Sequence, residues 1–224
     1  MHDAFMQSPL FAALDAEAAA ALRASLTETH VTRGETLFQE GEPGDRMYVI
    51  VDGKVKLGQT SNDGRETLLA VLGPGEMFGE LSLFDPGLRT STAVALTDAI
   101  VLGLGHDQLK PWLSGRPEVA AALLQALARR LRRTNEAMAD LVFSDVPGRV
   151  AKALMDLGEK FGTITPEGLM VTHDMTQEEL AQLVGASRET VNKALADFAQ
   201  RGWIRQESRQ VLILDVERLG RRAR

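Results

Sequence analysis

The 224-residue sequence predicts an α+β protein with an N-terminal β-barrel or sandwich, one long helix and a C-terminal winged helix-turn-helix. Three observations support this prediction. Between residues 31 and 104, short β-type runs alternate with glycine-containing turns about every ten residues, which is typical of barrels and sandwiches. Over residues 117–143, apolar side chains recur with coiled-coil spacing. Over residues 176–200, two capped helices flank a short turn that contains glycine.

The N-terminal part begins with a predicted helix over residues 8–27, in which Asp15 is a suitable N-cap before an Ala/Leu-rich run. The runs that follow are rich in apolar and β-branched residues and are bounded by turns. They predict strands over residues 47–51, 55–57, 67–72, 93–96 and 100–102.

Composition limits the class of protein. With 44% hydrophobic and 25% charged residues, the chain is typical of a soluble globular protein that buries a core. It has no run of 18 apolar residues and no secretory signal, so we expect no membrane span and a cytoplasmic location. The net charge of −6 is uneven, because residues 1–147 carry 13 basic and 20 acidic residues and residues 148–224 carry 12 and 11. The near-neutral second part is compatible with nucleic-acid binding.

The side chains that most enzymes and metal sites use are sparse. There are no cysteines, which excludes disulfides, iron–sulfur clusters and cysteine-ligated zinc. The histidines are far apart and none has metal-type spacing: His2, His30, His106 and His173. We therefore expect no catalytic residues, no metal and no cofactor, and an enzyme or a metal-dependent cupin is the weaker alternative.

One stretch of the predicted barrel, residues 78–93, combines the residue types that bind a phosphate and a sugar. Gly79 allows backbone amides to approach a ligand, and a short helical turn starting there would point free N–H groups at an anion. Arg89 suits phosphate oxygens, whereas Glu80 repels phosphate and is better suited to a sugar hydroxyl. The alternative is a structural loop in which Arg89 pairs with Asp85 or Glu80. A position inside a barrel favours the ligand interpretation.

The long predicted helix carries an apolar seam with spacings of three and four residues, which is typical of a two-stranded coiled coil. The seam consists of Leu124, Leu127, Leu131, Thr134, Met138 and Leu141. Arginines crowd the other faces, which favours exposure over the alternative of a helix that lies on its own barrel. Thr134 is the polar position of the seam, and with Asn135 it could fix the register or meet a ligand.

A break over residues 144–148 ends this helix and predicts a domain boundary and a hinge. A second helix over residues 149–161, a loop over 162–169 and a short strand at 170–171 are expected to follow.

Two helices in the C-terminal part have clear start signals. Thr176 with Glu179 has the pattern of a capping box, and it opens a predicted helix over residues 177–183. After a turn that contains Gly185, Ser187 caps a second helix that ends near residue 200. This order predicts a helix-turn-helix.

The second helix of this pair carries side chains that can recognise bases. Arg188, Glu189 and Lys193 share one exposed face near its N-terminus, the end that enters a major groove. Arg and Lys can pair with guanine, and Glu can accept from cytosine. A hairpin wing is expected over residues 203–214. A solvated amphipathic helix pair without a DNA role is the alternative.

Three motifs occur in order along the chain: Phe-Gly-Glu-Leu-Ser from residue 78 with Arg-Thr at 89–90, Ala-Arg-Arg-Leu-Arg-Arg-Thr-Asn at 128–135, and Val-Gly-Ala-Ser-Arg-Glu-Thr-Val at 184–191. Together they resemble the superfamily of bacterial transcription factors that contains the cyclic AMP receptor proteins and the fumarate–nitrate regulators. The match covers nearly the whole chain and is closest to the actinobacterial cyclic AMP receptor proteins.

The resemblance implies a jelly-roll cyclic-nucleotide-binding barrel (a double-stranded β-helix) over residues 1–115. It also implies a coiled-coil dimerisation helix over residues 116–143 and a winged helix-turn-helix DNA-binding domain over residues 144–224. The implied function is a homodimeric, cyclic-AMP-responsive transcription regulator that binds a palindromic operator, with RNA polymerase as a further candidate partner. The ligand would shift the orientation of the DNA-binding domains across the hinge.

The resemblance also assigns residues to two sites. For cyclic AMP it implies Gly79, Glu80, Leu81, Ser82, Arg89, Thr90, Thr134 and Asn135. Arg89 and amides near Thr90 would hold the phosphate, and Glu80 would face the ribose. Thr134 would contact adenine in its own subunit and Asn135 adenine in the partner. For DNA it implies Thr176, Ser187, Arg188, Glu189 and Lys193.

Three departures from enterobacterial members of the family affect these expectations. The segment between Glu80 and Arg89 is one residue shorter, which alters the position of the loop. Asn135 stands where those members have serine, which bears on nucleotide selectivity. Lys193 stands in place of an arginine, and a point donor relaxes specificity at that base pair. The alternative function is a regulator of the same fold that binds DNA without cyclic AMP or responds to another effector such as cyclic GMP.

Overall fold

The computed structural model describes residues 8–223, except residues 13 and 86. Contacts divide the chain into two compact units: Met1–Gln59 with Leu69–Arg133, and Thr60–Leu68 with Thr134–Arg224. Among the described residues, no helix combines the length and the apolar character that a membrane span requires.

The helices and strands of the described residues follow the predicted order. The helices are α1 (Pro9–Ala12), α2 (Ala16–Ser25), α3 (Leu81–Phe84), α4 (His106–Gly115), α5 (Pro117–Phe143), α6 (Val146–Phe161), α7 (Gln177–Val184), α8 (Arg188–Gln200) and α9 (Val216–Arg222). The strands are β1 (Thr27–Val31), β2 (Thr36–Phe38), β3 (Arg46–Asp52), β4 (Val55–Thr60), β5 (Glu66–Leu72), β6 (Met77–Phe78), β7 (Thr92–Ala95), β8 (Ala99–Gly105), β9 (Gly162–Thr165), β10 (Gly168–Thr172), β11 (Ile204–Glu207) and β12 (Gln210–Ile213).

The barrel contains two four-stranded sheets, ordered β1-β8-β3-β6 and β2-β7-β4-β5, which belong to the first unit except for residues 60–68 at the β4–β5 hairpin. Side chains from both sheets bury a common core, which includes Phe38 and Leu57 from one sheet and Ile50, Phe78 and Val101 from the other. Such a shared core is the reason for the alternation of apolar residues and turns in the sequence. The predicted jelly-roll barrel is confirmed.

The five predicted strands are present as β3, β4, β5, β7 and β8, while β1, β2 and β6 were not predicted. Strand β1 is exposed at four of its five positions and is mostly polar, so it lacks an apolar signal. Strands β2 and β6 have three and two residues, too few to show a period.

The prediction of one helix over residues 8–27 was wrong. The segment forms two helices, α1 and α2, and β1 already begins at Thr27. The Oδ1 of Asp15 accepts a hydrogen bond from the Ala18 N–H at 2.7 Å, which confirms the predicted N-cap. Since an N-cap residue has an extended backbone, as Asp15 does, no helix can continue through it.

Helix α5 has the predicted bounds, and its two ends have different environments. Val119 and Leu123 are buried with Leu104 and Leu109 in the first unit. The first two turns of α5 therefore lie on the barrel, which was the alternative to an exposed coiled-coil helix. From Leu124 onward the seam is exposed, except at half-buried Leu127. Helix α4, which precedes α5, was not predicted, and it contains Pro111.

The second unit contains a four-stranded sheet in the order β11-β12-β10-β9. The expected loop over residues 162–169 was wrong, because β9 forms there and pairs with β10. Its sequence, Gly-Thr-Ile-Thr, is rich in β-branched residues, which favour a strand. Helix α6 begins at Val146 instead of residue 149, because Pro147 fits the first helical turn, where its missing N–H has no consequence.

The helix-turn-helix is confirmed, with α7 and α8 close to the predicted bounds. The apolar residues expected to pack the two helices together are buried, except for half-buried Leu183: Leu180, Val184, Val191, Leu195 and Phe198. Strands β11 and β12 form the predicted wing. Helix α9, which was not predicted, packs on α6 and buries Leu219.

Candidate nucleotide pocket and nucleic-acid interface

The turn between β6 and α3 brings Gly79 and Glu80 to the wall of a cleft in the barrel. Gly79 has φ +74°, which favours glycine. A Cβ atom at this position would also lie 2.8 Å from Nη1 of Arg89. The glycine is therefore needed both for the turn and for the close approach of the arginine.

Arg89 is buried, with only 4% of its surface exposed. Its Nη1 donates to the Gly79 carbonyl at 2.8 Å and to Ser82 Oγ at 3.1 Å. Its guanidinium carbon lies 4.1 Å from the centre of the Phe38 ring, and its Nη2 lies 3.9 Å from Asp45 Oδ1. Arg89 therefore makes these contacts instead of an ion pair with Asp85 or Glu80, which the alternative of a purely structural loop predicted.

The electrostatics of Arg89 are those of a group prepared for an anion. Burial lowers the pKa of its guanidinium, although an arginine remains charged. Among the described residues, its buried Nε has no hydrogen-bond partner. A buried charged donor without a partner is unfavourable unless a ligand completes it.

Glu80 is 3% exposed, and its charge is balanced by a residue that sequence reasoning missed. Arg130 of α5 donates from Nη1 to Glu80 Oε1 at 2.6 Å. The second carboxylate oxygen, Oε2, is buried and finds no hydrogen-bond partner in the described part of the chain. In the sequence, Arg130 is one of a cluster of arginines on the long helix, and all of them were predicted to lie on exposed faces.

The cleft unites all six pocket residues that were predicted in the first unit. They are Gly79, Glu80, Leu81, Ser82, Arg89 and Thr90. Its wall also includes four residues that were not predicted: Phe38, Leu57, Ser91 and Arg130. The loop at Thr90 is held in place because Gln59 donates from Nε2 to the Thr90 carbonyl at 2.6 Å. A buried unpaired donor and a buried unpaired acceptor thus line one cleft, as a ligand with an anion and a hydroxyl requires.

Thr134 and Asn135, the remaining predicted pocket residues, belong to the second unit. Both lie on the exposed part of α5. Their contact with a nucleotide stays a prediction.

The helix-turn-helix is fixed by side-chain caps at both helix starts. The Thr176 N–H donates to Glu179 Oε2 at 2.7 Å, and the Glu179 N–H donates to Thr176 Oγ1 at 3.2 Å, which confirms the capping box. Ser187 accepts from the Thr190 N–H at 3.2 Å and thereby caps α8. Gly185 has φ +68° in the turn, which explains why glycine occurs there.

The residues predicted to contact bases are exposed on one end of α8: Arg188, Glu189 and Lys193. Lys193 Nζ donates to Glu189 Oε1 at 2.7 Å, a pairing that sequence reasoning missed. Both side chains are largely exposed, so this pair is weak and leaves them available to a partner.

The wing is anchored next to the start of the helix-turn-helix. The carbonyl of Arg209, at the tip of the β11–β12 hairpin, accepts from the N–H groups of His173 at 3.2 Å and Asp174 at 3.1 Å. Thr176, the N-cap of α7, lies two residues after Asp174. The wing tip is therefore bonded to the segment that leads into the first helix of the motif.

A jelly-roll barrel whose cleft is lined by a buried unpaired donor and a buried unpaired acceptor, together with a winged helix-turn-helix, is the architecture of a DNA-binding regulator. Comparison with known proteins agrees. Residues 28–115 match the cyclic nucleotide-binding domain, and residues 148–222 match the Crp-like helix-turn-helix domain. The chain is 57% identical over 224 residues, the full length of both proteins, to the CRP-like cAMP-activated global transcriptional regulator of Mycobacterium tuberculosis. It therefore belongs to the family of CRP-like transcription regulators.

Solved structures share this fold. The structure of FixK2 from Bradyrhizobium japonicum has a TM-score of 0.79 at 25% identity and covers 88% of this chain and 96% of its own. The c-di-GMP responsive global regulator CLP from Xanthomonas campestris has a TM-score of 0.77 at 25% identity, with coverages of 89% and 99%. The fold class and the family resemblance are confirmed, and the family is one of transcription regulators and not of enzymes.

Proposed function

We propose that the chain is a cyclic-AMP-responsive, sequence-specific transcription regulator that acts as a homodimer in the cytoplasm. The observation that carries the proposal is the pair of buried, unpartnered atoms in one cleft of the described chain, Arg89 Nε and Glu80 Oε2. A cyclic nucleotide carries a phosphate that accepts from arginine and a ribose hydroxyl that donates to a carboxylate. The name of the M. tuberculosis relative supports cyclic AMP as this ligand.

In the proposed complex, the phosphate oxygens accept from Nε and Nη2 of Arg89 and from the backbone amides near Thr90. The ribose 2′-hydroxyl donates to Glu80 Oε2, with Gly79, Leu81 and Ser82 completing the wall. Thr134 and Asn135 contact the adenine, the first from the same subunit and the second from the partner.

The proposed dimer rests on the exposed seam of α5. Leu131 is 62% exposed and Met138 58%, and Phe143 at the end of the helix is 86% exposed. Apolar side chains in a row at heptad spacing are stabilised when a second helix covers them. A second copy of this chain carries the same seam and can pair with it in parallel.

The proposed DNA contacts come from Ser187, Arg188, Glu189 and Lys193 on or next to α8, with Thr176 on a phosphate. In a two-fold dimer the two α8 helices enter successive major grooves about 34 Å apart, so the operator is a palindrome. RNA polymerase is a further proposed partner, and whether the chain activates or represses depends on where the operator lies.

Calorimetric titration of the purified protein with cyclic AMP and cyclic GMP tests the ligand. We expect binding of cyclic AMP at micromolar concentrations, and the absence of binding of both below millimolar concentrations would refute the proposal. DNA binding to a TGTGA-type palindrome and to a scrambled duplex, each titrated with cyclic AMP at fixed salt, then tests the output, because phosphate contacts make affinity salt-dependent.

A second candidate is a regulator of the same fold that answers to another effector. The described c-di-GMP responsive structure shares the fold, and the loop between Glu80 and Arg89 is one residue shorter than in enterobacterial members. The same titration with c-di-GMP as a third ligand separates the two candidates.

A further inference from the structure

The junction between α5 and α6 is short and tightly bonded. Two residues, Ser144 and Asp145, separate the helices. Asp145 is the N-cap of α6, and its Oδ1 accepts from the Gly148 N–H at 2.9 Å. The predicted hinge is therefore a capped corner in this conformation.

A residue from the other end of the second unit closes on this corner. Arg222, in the last turn of α9, donates from Nη2 to both carboxylate oxygens of Asp145, each at 2.6 Å. Gly148 leaves room for this contact, since a Cβ atom there would lie 3.0 Å from both Arg222 Nη1 and Asp145 Oδ1 and would push the two side chains outward. Leu219 anchors α9 because it is fully buried.

The pairing of Arg222 differs from that of the neighbouring arginines on α9. Arg218 pairs with Asp215, the cap of its own helix, and Arg221 pairs with Glu217 one turn before it. Arg222 reaches out of its helix to a residue 77 positions away. Local helix stability explains the first two pairs and not the third.

The corner is also bonded to the turn of the helix-turn-helix. Arg149 donates from Nη1 to the Ser144 carbonyl at 2.7 Å, from Nε to the Val184 carbonyl at 3.0 Å and from Nη2 to the Gly185 carbonyl at 3.2 Å. A rotation of α6 about the corner therefore also displaces the turn that leads into α8.

We propose that Arg222 is a positioning residue of the regulatory switch: by holding Asp145, it fixes the angle between α5 and α6. With this angle fixed, a ligand-dependent movement of α5 passes to the reading helix α8 instead of being absorbed at the corner. The proposal rests on the proposed function. It assigns to α9 a role in signal transmission, in addition to its packing on α6.

Both partners are partly exposed, so their ion pair contributes little to global stability. Their effect is expected in the coupling ratio, defined as the DNA affinity with saturating cyclic AMP divided by the affinity without it. An exposed pair changes such an equilibrium by at most about fivefold.

The variants separate the pair from the helix cap. Arg222→Gln removes the charge from α9, and Asp145→Asn removes the carboxylate but keeps a good N-cap. We expect each to lower the coupling ratio about three- to fivefold, and the double variant to lower it no further. Arg222→Lys should restore part of the ratio. The control Arg218→Gln, on the same helix, should leave it unchanged. Unchanged ratios in Arg222→Gln and Asp145→Asn, or additive losses in the double variant, would refute the proposal.

A second measurement makes the result independent of the ligand. In the nucleotide-free protein, amide hydrogen exchange at Gly148 and Arg149, whose N–H groups donate to Asp145, should be faster in Arg222→Gln than in wild type or Arg218→Gln. Equal exchange rates would overturn the positioning role. A wild-type protein whose DNA affinity ignores cyclic AMP would instead refute the proposed function, while the exchange experiment still decides whether Arg222 holds the corner.

Discussion

Replacement of Arg89 by alanine tests the position of the phosphate. In the proposed complex this guanidinium makes two charge-assisted hydrogen bonds to the ligand, each worth about 1.5–3 kcal/mol. Their loss would cost about 3–6 kcal/mol, which weakens cyclic AMP binding about 10²–10⁴-fold. Arg89→Lys should fall between wild type and alanine, because a lysine supplies charge without the planar fork.

The same substitution has a smaller effect on the fold. The Gly79 carbonyl and Ser82 Oγ lose the donor that Arg89 Nη1 provides, and the contact with the Phe38 ring disappears. These losses are partly offset because no buried charge remains to be desolvated. We expect a net destabilisation of about 1–2 kcal/mol, which lowers Tm by about 2–8 °C in a protein of this size.

Calorimetry with cyclic AMP measures the first effect, and thermal unfolding with sedimentation measures the second. The matched control is Arg65→Ala, which removes an exposed arginine that pairs only locally, with Asp63. If Arg89→Ala is a folded dimer and binds cyclic AMP within threefold of wild type, the phosphate does not lie at Arg89.

Three further predictions concern the pocket, the dimer and the response to acid. Glu80→Gln should weaken cyclic AMP binding about tenfold, because a neutral acceptor replaces a charged one, and calorimetry of a variant with unchanged affinity would contradict the ribose assignment. Leu131→Glu places like charges in the proposed seam and should raise the Kd of the dimer at least about tenfold, seen as a shift toward monomer in sedimentation. An unchanged dimer would show that α5 is not the interface. Arg222 holds the pKa of Asp145 below its usual range, and Arg46 does the same for Asp45. The two ion pairs therefore stabilise the folded protein above the pKa of an aspartate in the unfolded chain, about 3.9. This stabilisation is lost as pH falls through the lower pKa values of the folded protein. Because both pairs are largely exposed, thermal unfolding should show only a modest fall of Tm below about pH 4, and a flat profile would contradict these pairings.

The elements that could be predicted from the sequence are those whose signals are local. The bounds of α5 followed from Pro117 at its start and the break at its end, and the capping box of α7 from Thr176 and Glu179. Each depends on residues a few positions apart, so the sequence contains the whole interaction.

The features that were missed depend on contacts between distant residues or on segments too short to show a pattern. Arg130 pairs with a carboxylate 50 positions away and Arg222 with one 77 positions away. Nothing in their local sequence distinguishes them from the solvated arginines beside them. Strand β1 is held by its pairing with β8, although its own residues are mostly polar and exposed. In these cases tertiary contact decides the structure.

The ion pair between Glu80 and Arg130 has a consequence for the charge of the cleft. Arg130 lies on the cleft wall and holds Oε1 of Glu80, so the protein itself balances this carboxylate and leaves Oε2 for a hydroxyl donor. In the proposed complex, the ligand therefore does not have to neutralise Glu80 before it binds. Removal of Arg130 would leave a buried, unbalanced carboxylate that repels a phosphate in the same cleft.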